Sequence, residues 1–350
     1  MFIFLKKLAK NNYLAYHLGY IFYGISIALI SIVIITISYP NYHKFDSTYS
    51  SNLKKKKLIN VEIFSKNNSK DVNYNLNEEL ESKFEDANKQ FTVINLKAMF
   101  EKHSYFIESV RESKLVPDIS INKFPKDFAL IKSTKDKKSL FIKSLLPLII
   151  NENNKILFTN NRIKKIQNDD LGYITKSNAL WLKEQFKKYK VQSHHVNDLL
   201  IKVDIIPVSI ALAQAAIESG WGTSRFVSEG NALFGQWSWF KGSGIVPENR
   251  DSEETYEIKS FDSLRQSVTS YMKNLNSNSN YSEFRMARNY YRENNNVINS
   301  VKLIKFLSKY AENSEYSKIL EKIIVKNKLQ DFDEVIIYRL PYAVANLIPN

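Results

Sequence analysis

The 350-residue chain has no cysteine, only 9 glycines and 8 prolines, and fewer acidic than basic side chains, 36 Asp+Glu against 50 Lys+Arg. Without cysteine there is no disulfide framework, no thiolate zinc site and no cysteine nucleophile. The net charge of +14 favours an anionic partner such as nucleic acid, a phospholipid surface or an acidic wall polymer. The same excess of Lys, Asn and Ile over Gly and Pro is also the drift that AT-rich coding produces by itself. With 44% hydrophobic, 13% aromatic and 25% charged residues, the chain is neither disordered throughout nor a polytopic membrane protein. Its length accommodates one large domain or two ordinary ones with extra segments.

Between Lys10 and Lys44 there is no Asp, Glu, Lys or Arg, and Ile21 to Tyr39 is a run of apolar and small residues. At 1.5 Å per residue such a run spans a bilayer. Tyr13, Tyr16, Tyr20 and Tyr23 at one end and Tyr39 and Tyr42 at the other make an aromatic belt. Lys6, Lys7 and Lys10 favour a cytoplasmic N-terminus, and no small-x-small cleavage signature precedes Pro40. The expectation is a cytoplasmic N-terminus over 1–20, an uncleaved single-pass anchor over 21–39 and a polar tether over 40–90. The rest then lies on the periplasmic side of the inner membrane.

Beyond residue 90 the pattern turns helical. Leu140, Phe141, Leu145, Leu148, Ile149 and Ile156 recur at helical spacing, as do Ala179, Leu180, Leu182, Phe186 and Tyr189. Pro207 opens a further helix whose alanines let it pack on several sides, and Gly220 stops it. Ile245-Val246 and Thr255–Phe261 bracket a polar turn and predict a short β-hairpin. Asp262 caps a helix bearing Leu264, Val268, Tyr271, Met272 and Leu275, and two more amphipathic helices follow around 297–310 and 315–327. The predicted class is mainly α with one short β-hairpin, preceded by the transmembrane helix. A helical N-terminal extension covers 91–195, a catalytic domain 196–332, and a tail without assigned role 333–350.

The chemically informative stretch is IPVSIALAQAAIESGWGTSRF. Ile210, Ala213 and Ile217 mark the apolar side of its helix, so Glu218, about 100° further round, lies on the border between core and surface. Partial desolvation and the negative helix end both raise a carboxyl's pKa, which is what a general acid near neutral pH needs. An ordinary exposed last-turn glutamate is the alternative. Gly220 and Gly222 flank Trp221 and clear side chains from a cleft floor. Downstream, Phe234, Trp237, Trp239 and Phe240 crowd seven residues. Exposed, they would stack on sugar rings; buried, they would be core, and Trp237 is the better candidate for a platform. Asn231 offers an amide to an N-acetyl group or caps a turn.

These motifs, with EGNALFGQWSWF and FDSLRQSVTSYMKNLNSNSNYSEFR, resemble the glucosaminidase domain of the bacterial Bax proteins and the wider glycoside hydrolase 73 group of flagellar-rod muramidases and autolysins. The similarity covers about residues 120–332. It implies a lysozyme-like fold that cleaves peptidoglycan glycan strands, an endo-β-N-acetylglucosaminidase-like activity, with Glu218 as the general acid. It places substrate-lining residues at Asn231 and Phe234 and the group's cleft tyrosine at Tyr281; Trp221, between the two glycines, is a further substrate-binding candidate. Relatives with a second catalytic acid carry it in the hairpin's first strand, where Glu248 is the nearest match and Glu253, Glu254 and Glu257 are rivals.

An inverting base, substrate assistance by the acetamido group, or the internal attack of a lytic transglycosylase would each complete the reaction. A wall-binding scaffold without turnover is the reading from another class. No cofactor and no metal are expected, because His194, His195 and Asp198 lack a further ligand of suitable spacing. The expected partners are peptidoglycan glycan strands and, through residues 21–39, the membrane; nucleic acid is not expected, since the lysines are dispersed.

Overall fold

The structure, a computed structural model, describes residues 91–168, 174–248, 250, 253–295, 298–310 and 315–338. Two short helices, α1 (Val93–Lys102) and α2 (Ile107–Ser113), lead into strand β1 (Leu115–Pro117). Helix α3 (Thr134–Gln167) is 34 residues long, starts at Ser133, whose side chain accepts from the Asp136 N–H, and buries Leu140, Phe141, Leu145, Leu148, Ile149 and Ile156. The periodic apolar run therefore extends well beyond the segment from which the pattern is read.

Helices α4 (Lys176–Lys188), α5 (Val196–Lys202) and α6 (Val208–Glu218) follow, then the single-turn α7 (Arg225–Gly230). The expected hairpin is a three-stranded antiparallel sheet, β2 (Trp237–Ser238), β3 (Gly244–Ile245) and β4 (Glu257–Lys259), with β4 in the middle. Helix α8 (Leu264–Ser277) buries Leu264, Val268, Tyr271, Met272 and Leu275 as its periodicity predicts, but its cap is Ser263 rather than Asp262. Asp262 instead accepts from the Gln266 side chain at 2.9 Å. Helices α9 (Ser282–Asn295), α10 (Ser300–Leu303) and α11 (Tyr316–Lys326) complete the helical set, and β5 (Ile336–Tyr338) closes the described chain.

Two buried polar arrangements fix the position of α6. Asp204, just before it, is gripped bidentately by Arg292 at 2.7 Å to each oxygen. Arg288, fully buried, donates to the carbonyls of Asp204 and Ile205 and to Asn276. At the helix start, Pro207 supplies no side-chain cap. That role passes to Asp333, which accepts from the Ser209 N–H and hydroxyl at 2.8 Å each across 124 residues. An acidic group at a helix N-terminus satisfies orphan donors and opposes the dipole.

The start of the C-terminal tail thus acquires a place that its sequence did not suggest. Besides the Asp333 cap, β5 pairs in parallel with β1, Leu115 opposite Ile336 and Pro117 opposite Tyr338.

The transmembrane helix of the expected fold class is corrected, and with it the single-pass inner-membrane localisation and the membrane as a partner. Among the described residues no helix is long and apolar enough to cross a membrane. The longest, α3, interrupts its apolar face with Lys143, Asn153 and Asn160, which are themselves buried in the protein, and carries Glu152 and Lys155 alongside. The observed class is mainly helical with a few short strands. Residues 21–39, on which the expectation rested, lie outside the described residues.

Candidate functional site

Glu218 is the last residue of α6, and the local sequence explains the helix end there. The Trp221 N–H returns to the Ala216 carbonyl at 2.9 Å and the Gly220 N–H to Ile217 at 3.3 Å, a Schellman closure that needs a left-handed residue at Gly220. Gly220, Trp221 and Gly222 all have positive φ, 58°, 60° and 82°. The absent side chain of Gly222 is not cleft floor, however. A Cβ there would meet Phe128, Phe141 and Phe124 at 3.0 to 3.3 Å, so the glycine admits an aromatic cluster rather than a ligand.

The Glu218 carboxyl is half-buried, and burial raises its proton affinity above the ordinary carboxylate range, partly offset by a hydrogen bond from Tyr316. The Tyr316 hydroxyl donates to Oε1 at 3.0 Å. It accepts in turn from Nε2 of the fully buried Gln214 at 3.1 Å, and the Tyr271 hydroxyl donates to Gln214 Oε1 at 2.6 Å. The other carboxyl oxygen, Oε2, lies against Gly235, where a Cβ would stand only 3.2 Å away. Burial, with Glu218 as a further cause, raises the phenols of Tyr281, Tyr271, Tyr310 and Tyr316, so all four stay neutral donors or acceptors.

Of the residues expected at the site, Tyr281 joins this group: it is buried, and its ring lies 6.0 Å from Tyr310, which stacks on Tyr316 at 5.8 Å. Phe234 is core, stacked on Tyr271 at 3.8 Å; its carbonyl, which accepts from Tyr310 at 3.0 Å, is what it contributes nearby. Asn231 ends α7 in a left-handed conformation and donates its amide to the Phe261 carbonyl at 2.8 Å. Trp221 turns towards α3, edge-on to Phe141 at 5.5 Å and under the Lys138 ammonium at 4.6 Å. Trp237 is 52% exposed and stacks on Tyr256 at 4.5 Å, with Trp239 edge-on to both. Phe240 is exposed as well.

The candidates for a second acid have other engagements. Glu248 is 79% exposed and paired with Arg225 at 3.1 Å. Glu257 accepts from the Gly242 and Gly244 N–H groups at 2.8 Å each, bonds that hold its carboxyl below the ordinary range and tie the β2–β3 turn to β4. Glu253 and Glu254 are exposed. Among the described residues no group of three His, Asp or Glu side chains is placed to hold a metal ion.

Tyr316, Tyr310, Tyr271 and Gln214 are site residues that the sequence reading passed over. Gln214 carried a usable signal, a lone amide in an alanine-rich helix four residues before Glu218 and so on the same face. Tyr316 carried none, being 98 residues away in sequence.

Family comparison places this arrangement in a class of proteins. Residues 193–329 match the glucosaminidase family model, described as mannosyl-glycoprotein endo-β-N-acetylglucosaminidase. Protein bax of Escherichia coli (strain K12) is 31% identical over 219 residues, 60% of this chain and 73% of that protein. The chain therefore belongs to the glucosaminidase family and is a homologue of Protein bax, as its motifs implied. Exo-glucosaminidase LytG of Bacillus subtilis (strain 168) is 26% identical over 153 residues, 41% of this chain and 51% of LytG. The catalytic domain of the autolysin Auto from Listeria monocytogenes is 22% identical, covering 50% of this chain and 97% of that domain; its TM-score of 0.29 decides nothing about the fold.

Proposed function

We propose that this glucosaminidase-family protein hydrolyses peptidoglycan glycan strands as an endo-β-N-acetylglucosaminidase, with Glu218 as the general acid. The observation that carries the reading is the half-buried Glu218 carboxyl, its proton affinity raised and one oxygen tied to Tyr316. A relative named as an exo-glucosaminidase supports the class of bond cleaved.

The hydrogen bonds run one way, from Tyr271 to Gln214 to Tyr316 to Oε1. Oε1 is then an acceptor, and the acid's proton resides on Oε2, towards Gly235. Oε2 gives that proton to the glycosidic oxygen, the bond to the anomeric carbon breaks, and positive charge develops on the sugar ring. Tyr316 continues to donate to the carboxylate left behind. Water adds at the anomeric carbon, and its proton restores the acid. Trp237 and Tyr256 offer a flat face for a sugar ring further along the strand.

The positions of the other carboxylates favour a second course for the latter half. Glu248 pairs with Arg225 and Glu257 with two backbone N–H groups, while Glu253 and Glu254 are exposed; on this second course the charged intermediate is met by the substrate's own acetamido oxygen or a sugar hydroxyl. Digestion of purified sacculi by the full chain separates the outcomes. Reducing ends mean hydrolysis, and anhydro ends mean transglycosylation. Sacculi bound without any soluble product, by the wild type and Glu218→Gln alike, would leave a wall-binding protein without turnover.

A further inference from the structure

A cavity of about 590 Å³ shares no lining residue with the group around Glu218. It opens between the turn after α4, the helix α5, and residues 277–282 with the first turn of α9. Its volume is in the range of small-molecule sites. Three of its lining side chains are cations, Lys190, Lys202 and Arg285, against the single carboxylate of Asp198.

Arg285 is the informative member. It is only 3% exposed, and its Nη1 is committed to the carbonyls of Leu275 at 2.8 Å and Asn278 at 2.7 Å. That leaves Nε and Nη2, the edge of a guanidinium that takes both oxygens of a carboxylate or phosphate. Arg292 uses that edge on Asp204. In Arg285 no described residue bonds to it, and it is not sealed in the interior. Lys202 spends two of its three N–H donors on the carbonyls of Tyr189 and Lys190, leaving one. Asp198 accepts from Ser193 and acts on Lys202 through its charge.

We propose that this pocket binds a small oxyanion, a carboxylate or a phosphate group, held on the Nε/Nη2 edge of Arg285 and neutralised by Lys202 and Lys190. The cations repel one another while the site is empty. Burial first, then Arg285 and Lys190, push the Lys202 ammonium down against the pull of Asp198, and burial brings Arg285 to about 10. An anion relieves both strains. Residues 277–282 also carry Tyr281, so an occupant would brace the segment that presents this tyrosine towards Glu218.

The test is a thermal-midpoint titration of the full chain with inorganic phosphate and, separately, with succinate, at ionic strength held constant with chloride. The expected result is a saturable rise half-complete at about 1 mM of the better anion. Phosphate binding the more tightly identifies a phosphate-bearing ligand; succinate binding the more tightly identifies a carboxylate-bearing one. Lys202→Gln weakens the response about tenfold or more, as does Arg285→Lys, which loses the two-pronged edge. Because Arg285 also clamps two carbonyls, Ser282→Glu is the second variant: it sets a carboxylate into the pocket, leaves the clamp intact and abolishes the response. No saturable response to either anion, or one unchanged in Lys202→Gln and Ser282→Glu, overturns the proposal.

Discussion

Glu218 at the end of α6 and Glu257 in the small sheet are both drawn out of water, and desolvation pushes both upward, yet they end on opposite sides of an ordinary glutamate. Glu257 faces two backbone N–H groups at 2.8 Å, which overcome desolvation and hold it ionised. Glu218 has a single phenol at 3.0 Å, which does not. The balance of donors against desolvation sets the two carboxyls apart, one below and one above the ordinary glutamate. The sheet glutamate fixes a turn; the helix glutamate is left short of donors, with Oε2 against Gly235.

The sharpest way to break that contrast is to remove the proton. Glu218→Gln should lower glycan release from sacculi about 10²- to 10⁴-fold, the span of a general acid. The fold should not suffer. A group whose folded pKa is raised costs stability once the pH exceeds its unfolded value, so the folded state loses stability as pH rises from that value to the folded one. The amide removes this cost. Glu218→Gln is expected to melt higher than wild type at neutral pH and with less dependence on pH; equal melting at pH 7 would mean that Glu218 is not strained by burial.

Tyr316→Phe takes away the phenol that donates to Glu218 and should move Glu218 further from Glu257. The alkaline limb of the pH–rate profile, where the acid loses its proton, shifts upward, while the rate on the plateau falls because the carboxylate formed on proton transfer has lost its partner. Stability falls by about 1–3 kcal/mol as Gln214 Nε2 is left buried and unpaired. A profile that stays in place would detach Tyr316 from the acid and leave it a packing residue.

Glu257→Gln tests the other half. A depressed carboxyl contributes stability that is present above its unfolded pKa and is lost as pH falls through the folded value. The variant should therefore melt below wild type at neutral pH, and the two should converge below the carboxylate range. Its effect on glycan release should be far smaller than that of Glu218→Gln. Comparable losses would make Glu257 a participant in the chemistry.

How much of this could be read beforehand follows the range of the interactions. The place of Glu218 at its helix end, the helix stop at Gly220 and the buried face of α8 are set within a few residues, by alanine content, a left-handed glycine and 3.6-residue spacing, and all were legible. The donors that define Glu218 were not, because Tyr316 reaches it across 98 residues and nothing in the start of α11 marks that tyrosine. Asp333 capping α6 and β5 pairing with β1 are longer-range still, and three-residue strands leave no periodicity. Gly222 was misjudged for a related reason: its neighbours Phe124, Phe128 and Phe141 come from 81 to 98 residues earlier, so what looked like an opened floor is a filled one. The apolar run at 21–39 lies outside the described residues, and among those no helix is long and apolar enough to cross a membrane.

The smallest expected effect concerns the shelf beside Glu257. Trp237 is half-exposed and flat against Tyr256, so its removal leaves no buried void and should barely change stability. If the pair carries a sugar ring, Trp237→Ala removes one aromatic face, about 0.5–1.5 kcal/mol of binding, which is a rise in KM of about two- to tenfold with kcat kept. Such a split would separate the two regions by function, the helix end supplying the proton and the sheet holding the strand. A fall in kcat instead would mean that the ring on the shelf is the one being cleaved, and would bring the sheet, turn and all, into the reacting centre.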